Sequence, residues 1–191
     1  MRPSGLCEMV SLKLKTCEIR SWRASDIDPL VRYANNRKIW LNLRDRFPHP
    51  YTKTDGQRFI RSMRQADPET AFAVVVDGEA AGGIGFMLQH DVDRASAEIG
   101  YWLGEPFWGR GITTEALAAM TRYSIATHSL TRVFAVPFAH NVASCRVLEK
   151  AGYVLEGHLR RSAIKDGKVL DQLQYAFIAP EATEPQSHRE E

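Results

Sequence analysis

The stretch PFWGRGITTEAL, residues 106–117, sets one glycine on each side of an arginine immediately before a helical pattern. A chain that runs through glycines into a helix start gathers unpaired backbone N–H groups and the positive end of the helix dipole in one small volume. Gly109 and Gly111 would let the backbone approach an anion with no Cβ in the way. Arg110 between them would add a charge-assisted contact to phosphate oxygens. The chemistry that fits is a pyrophosphate cradle made by Gly109, Arg110, Gly111, Ile112, Thr113 and Thr114. Spacing alone also fits a plain tight turn carrying a solvated arginine. Two nucleotide loops do not fit. GxGxxG would need glycine at Thr114 and an acidic residue closing the strand RVFAVPFAHN, and GxxxxGK[ST] would need a lysine.

A second polar cluster lies in HNVASCRVLEKAGYV. Asn141 reads as the cap of a short helix whose stop signals are Lys150 and Gly152. With Asn141 as the cap, Ser144 stands in the first turn, so both side chains reach one cleft. Each also has an ordinary structural use, Asn141 in capping and Ser144 in satisfying a local backbone group. In the strand ASAEIGYWLG, Glu98, Gly100 and Trp102 share one face, and Ile99, Tyr101 and Leu103 share the other.

The elements that must hold these residues follow from hydrophobic periodicity. SLKLKTCEIRSW alternates as a half-buried strand ending near Trp22. Two helices follow, one capped by Ser25 or Asp26, the other starting near Thr54 with Phe59, Ile60 and Met63 as its buried stripe. TAFAVVVDGEAAGGIGFMLQH reads as a hairpin turning at Asp77 and Gly78, with Gly82, Gly83 and Gly85 bulging its second strand. Then come the strand of residues 95–104, a helix from about Thr113 to Ser129, a strand over 132–138, the Asn141 helix, and a strand pair around KDGK. Pro137 has no N–H to give, so the strand that carries it must lose pairing there; an edge strand would explain it equally well. The outline is βααβββαβαββ, an α/β protein with residues 10–180 as one domain and 181–191 as a disordered tail.

Composition narrows the partners. The chain has 191 residues, 44% hydrophobic and 25% charged, which suits one soluble globular domain. Its 25 basic and 23 acidic residues leave a formal charge of +2, without the strong positive field of a nucleic-acid binder. Cys7, Cys17 and Cys145 lack metal or redox spacing and read as free thiols of a reducing cytoplasm. No apolar run reaches bilayer-spanning length, and the N-terminal stretch lacks a secretory core. The expectation is a cytoplasmic protein, neither exported nor embedded.

The segment EIGYWLGEPFWGRGITTEAL resembles the coenzyme A loop of the GNAT superfamily of N-acetyltransferases, [QR]xxGx[GA], laid over residues 106–111. Both glycines match, and Pro106 stands where Gln or Arg is usual. Trp-Gly-x-Gly at Trp108 to Gly111 is similar to the RimJ/RimL branch, which acetylates N-termini of ribosomal proteins, and the likeness runs over residues 12–178. It implies a mixed, mostly antiparallel sheet whose fourth and fifth strands splay apart to admit pantetheine. It implies acetyl-CoA as cosubstrate, held by Tyr101, Trp102, Leu103, Trp108, the loop of residues 109–114, and Asn141, with no metal. Backbone N–H groups near Tyr101 and Trp102 would receive the charge on the thioester oxygen, and Ser144 would protonate the leaving thiolate.

Glu98 is the candidate base, since it shares a strand with those donors; the alternative is a carboxylate facing solvent or paired with a basic neighbour. Trp40, Arg44, Arg46, His49 and Tyr51 form a candidate acceptor-binding group in WLNLRDRFPHPYTKTDG. The acceptor is a primary amine, on a protein N-terminus or on a small molecule, and the protein acts as a monomer or homodimer. A coenzyme-binding module without catalysis is the rival from another class.

Overall fold

The computed structural model describes residues 10–180. Cys7 and the tail expected over 181–191 lie outside the described residues. Among the described residues, eight strands form one open sheet in the order β1-β2-β3-β4-β5-β6-β8-β7. The strands are β1 (Ser11–Lys13), β2 (Glu18–Arg20), β3 (Ala71–Val76), β4 (Glu79–Leu88), β5 (Ser96–Leu103), β6 (Arg132–Ala135), β7 (Val154–Lys165) and β8 (Lys168–Ile178). The helices are α1 (Ile27–Ala34), α2 (Arg37–Trp40), α3 (Lys53–Arg64), α4 (Ile112–His128) and α5 (Val142–Lys150). Among the described strands, β5 and β6 are the one parallel pair.

The sheet divides two apolar layers. α4 and α5 pack Ile112, Leu117, Met120 and Leu148 against one face, with Phe72, Ile99, Leu103 and Val133. α1 and α3 pack Leu30, Ala34 and Ile60 against the other, with Trp22, Ala73 and Val75. Alternation along β3 sends Phe72, Val74 and Val76 to the first layer and Ala73 and Val75 to the second. This burial on both faces explains why its sequence is apolar without a break.

The hairpin of β3 and β4 turns where expected, with Asp77 and Gly78 both at positive φ, 50° and 84°. Its irregularity falls beside the glycine cluster. Val74 faces Gly82 and Val75 faces Ala80, which leaves Ala81 as the extra residue. Gly82 serves a close approach instead, since a Cβ there would stand 2.4 Å from the Trp102 carbonyl oxygen.

Three expectations are corrected. The first strand is two, β1 and β2, because the chain turns at Lys15 and Thr16, whose N–H groups donate to the Glu115 carboxylate at 2.8 and 2.9 Å. A third helix, α2, stands between the two expected ones, with the Asn36 side chain accepting the Lys38 N–H at 2.8 Å. Asp26 precedes α1 without capping it. Its carboxylate is held by Arg20 at 2.7 and 2.8 Å and by the Arg23 N–H at 2.8 Å.

Candidate active site

The strands expected as fourth and fifth are β5 and β6, and they part as expected. Their parallel register runs from Ser96 opposite Arg132 to Glu98 opposite Phe134. Carried forward, it would set Pro137 opposite Tyr101. β6 has already ended at Ala135, and the Pro137 carbonyl accepts the Leu173 N–H at 3.0 Å, drawing the chain toward β8. Beyond Glu98, β5 therefore has an unpaired edge. The Gly104 N–H donates to Ala81 of β4 at 2.8 Å, so the strand's alternation turns the Trp102 N–H to β4 and the Tyr101 and Leu103 N–H groups to the gap.

The glycine loop hangs from the end of that edge. A 3-10 turn, Glu105–Phe107, buries Phe107, and the Trp108 indole N–H donates to the Leu103 carbonyl at 2.7 Å. Gly109 and Gly111 both take positive φ, 74° and 77°, with open space where a Cβ would project. Gly111 is the residue before α4, and its carbonyl accepts the Glu115 N–H at 3.1 Å. Among the described residues, no protein group accepts the N–H groups of residues 109–114. They stand at the positive end of a 17-residue helix, where an anion is favoured. Arg110 is half exposed, 5.6 Å from the Phe107 ring centroid and 3.9 Å from Asp77. Ile112 contributes only its backbone, since its side chain is core.

α5 starts on the same side of the sheet. The Asn141 side-chain oxygen Oδ1 accepts the Ser144 N–H at 3.2 Å, so the expected cap is present. The Ser144 hydroxyl lies 2.9 Å from the Tyr101 hydroxyl, which joins α5 to the unpaired edge of β5. Burial pushes the Tyr101 phenol well above its ordinary range, against the opposing effect of that hydrogen bond.

The other face of β5 carries a separate group. Glu98 is ion-paired with Arg44 from the segment between α2 and α3. Gly100, next on that face, has open space at its Cβ position. Trp102 lies in the second apolar layer, with its ring centroid 5.7 Å from that of Phe47. The structure thus brings Tyr101, Leu103, Trp108, residues 109–114, Asn141 and Ser144 to one side, and turns Glu98 and Trp102 to the other. Of the expected acceptor group, Tyr51 is core and His49 packs against Trp40.

Lys165, Asp45 and Gln172 escaped the sequence reading. They line a cavity of about 200 Å³ beside Arg44, Phe138 and Ile164. Asp45 stands in WLNLRDRFPHPYTKTDG and Lys165 in the KDGK turn, but they are far apart in the chain and no local pattern pairs them. Among the described residues, no group of three or more His, Cys, Asp or Glu is placed to hold a metal ion, and no helix is long and apolar enough to cross a membrane.

Comparison with known proteins identifies the family. The family described as Acetyltransferase (GNAT) domain matches residues 17–154. The [Ribosomal protein uS5]-alanine N-acetyltransferase of Escherichia coli is 32% identical over 172 residues, covering 85% of this chain and 84% of that protein. The ribosomal-protein-serine acetyltransferase of the same organism is 25% identical, covering 86% of this chain and 93% of that protein. Among solved structures, a RimL ribosomal L7/L12 alpha-N-protein acetyltransferase in complex with coenzyme A superposes with a TM-score of 0.78. It is 23% identical, with 90% of this chain and 98% of that one covered. The chain belongs to the GNAT family and is an acetyl-CoA-dependent acetyltransferase.

Proposed function

We propose that the chain transfers acetyl from acetyl-CoA directly to the α-amine at a protein N-terminus. The observation that carries this reading is the set of unpartnered N–H groups of residues 109–114, on the same side of the sheet as Ser144 and beside the open edge of β5. The diphosphate lies on those amides, with Arg110 alongside, and the pantetheine arm follows the unpaired edge past Asn141. The thioester then stands in the gap between β5 and β6. The sheet separates cofactor from acceptor, and this gap is where the two meet.

The nitrogen forms its bond to the thioester carbon as the carbon–sulfur bond breaks. Backbone N–H groups of Tyr101 and Leu103, pointing into the gap, stabilise the charge gathering on the oxygen. Glu98, from the acceptor face, takes the proton the amine loses. The departing thiolate takes a proton from the Ser144 hydroxyl, Tyr101 at 2.9 Å restores it, and solvent then returns a proton to Tyr101 and removes the one held by Glu98. The products are an amide and the free thiol of coenzyme A, with one proton released for each ammonium acetylated.

An α-amine is favoured because two relatives are named for a serine and an alanine of ribosomal proteins. A panel of N-terminal peptides, polyamines and amino acids, read by thiol release and mass spectrometry, tests the reading. Acetylated peptide α-amines are expected. Turnover confined to small amines would replace the acceptor class, and coenzyme binding with no turnover would leave a binding module.

A further inference from the structure

The segment between α2 and α3 is pinned to the tip of the β7–β8 hairpin. The Lys165 ammonium, on a side chain only 2% exposed, donates to Asp45 at 2.7 Å and lies 3.8 Å from the Trp40 ring centroid. Arg37 pairs with Asp166 at 2.6 Å. The Lys165–Asp45 pair forms part of the wall of a cavity of about 200 Å³, with Arg44, Phe138, Ile164 and Gln172. Its polar wall is largely committed. Lys165 and Asp45 hold each other, and Gln172 accepts from the Ser162 hydroxyl at 3.1 Å and donates to the Val136 carbonyl at 3.3 Å.

Arg44 is the exception. Its guanidinium carries five N–H donors. One is directed at Glu98, and its side chain is 52% exposed against 21% for Glu98. The four charges of Arg44, Lys165, Asp45 and Glu98 cancel. An acceptor that arrives with an ammonium alone adds an uncompensated positive charge, whereas one that also carries an anion enters charge-matched.

Glu98, the base in the reading above, is engaged by Arg44 and must be released before it can take a proton from the amine. Building on that reading, we propose that Arg44 is the specificity-determining residue for the acceptor, and that the acceptor is a peptide whose first or second residue bears a carboxylate. The carboxylate takes Arg44 from Glu98, seats the peptide in the cavity, and leaves Glu98 to face the ammonium. Recognition of the acidic side chain and freeing of the base are one exchange of ion pairs. The other donor-bearing groups on the cavity wall, Lys165 and Gln172, keep their partners throughout.

The test uses hexapeptides that differ only by aspartate, asparagine or lysine at the first or second residue. kcat/KM is measured for the wild type, Arg44→Gln and Arg44→Glu, and each peptide is titrated calorimetrically into the coenzyme A-loaded proteins. The wild type is expected to prefer an aspartate peptide over its asparagine counterpart by about tenfold or more. Arg44→Gln brings that ratio near one, and Arg44→Glu turns it toward lysine. Arg44 is half exposed, so the variants fold, and coenzyme affinity verifies that they do. A wild type that binds aspartate and asparagine peptides alike, or a preference that survives Arg44→Gln, overturns the inference. The binding titrations read it even if no peptide is acetylated, a result that would count against the proposed transfer and not against the role of Arg44.

Discussion

The hydroxyls of Ser144 and Tyr101 lie 2.9 Å apart, and this contact ties the first turn of α5 to the part of β5 that no longer pairs with β6. In the proposed transfer it sets a second hydroxyl behind Ser144, the proton donor to the leaving thiolate. Ser144→Ala is expected to lower kcat by roughly a hundredfold while leaving coenzyme affinity within a few-fold. Tyr101→Phe should cost less, roughly three- to tenfold. Thiol-release kinetics with matched calorimetry separate the two effects, and a Ser144→Ala enzyme as fast as wild type would remove Ser144 from the chemistry.

Gly111, at φ 77° before α4, holds a backbone that side chains rarely adopt, with open space at its Cβ position. Gly111→Asp places a carboxylate beside the amides proposed to hold the diphosphate. Coenzyme affinity should fall by about a hundredfold or more. The left-handed backbone adds a folding cost of about 1–2 kcal/mol. Arg110→Ala, removing a half-exposed charge, should weaken binding only about three- to tenfold, and less at high salt. Calorimetry at two salt concentrations, with urea unfolding alongside, tests both.

Gly100 lies between Glu98 and Trp102 on the face of β5 where the proposed acceptor would approach, with nothing near its Cβ position. A leucine there would fill the approach to the gap without touching the coenzyme loop. Gly100→Leu should raise the acceptor KM by about tenfold with no change in coenzyme affinity. A parallel loss of both would mean that the two ligands share that face.

Arg20 and Asp26 form a buried pair, with side chains 6% and 5% exposed. Asp26→Ala strands a guanidinium in the second apolar layer and frees the Arg23 N–H. Urea unfolding should show a loss of about 3–5 kcal/mol. A loss under 1 kcal/mol would mean water reaches Arg20 readily.

Burial holds the phenols of Tyr101, Tyr153 and Tyr175 above their ordinary range. The fold favours the protonated form, and the unfolded chain ionises near pH 10. Their stabilisation is therefore complete below about pH 10 and is lost as pH rises beyond it toward the folded values. Melting temperature should hold up to about pH 9.5 and fall steeply above it, and Tyr101→Phe should lessen that fall. A melting temperature flat to pH 11 would contradict the assignment.

The sequence by itself determined the parts whose causes are local. The turn at Asp77 and Gly78, the helix start after Gly111 and the Asn141 cap each depend on residues adjacent in the chain, so spacing was enough to read them. The family likeness of residues 106–117 follows from the same locality, because a glycine loop and the helix it opens are adjacent in the chain. The loss of pairing at Pro137 was legible for a similar reason: a missing N–H is a property of the residue type.

What only the tertiary structure decided depends on contacts between distant segments. The first strand broke in two because Glu115, in a helix far along the chain, accepts the turn's N–H groups. Alternation along β5 divided its residues into two faces, but packing decided that Tyr101 meets Ser144 while Glu98 meets Arg44. Lys165 carried no signal at all. A lysine in a polar hairpin reads as solvated until the fold lays it over Trp40 and against Asp45, because burying an ammonium requires partners that no local pattern can name.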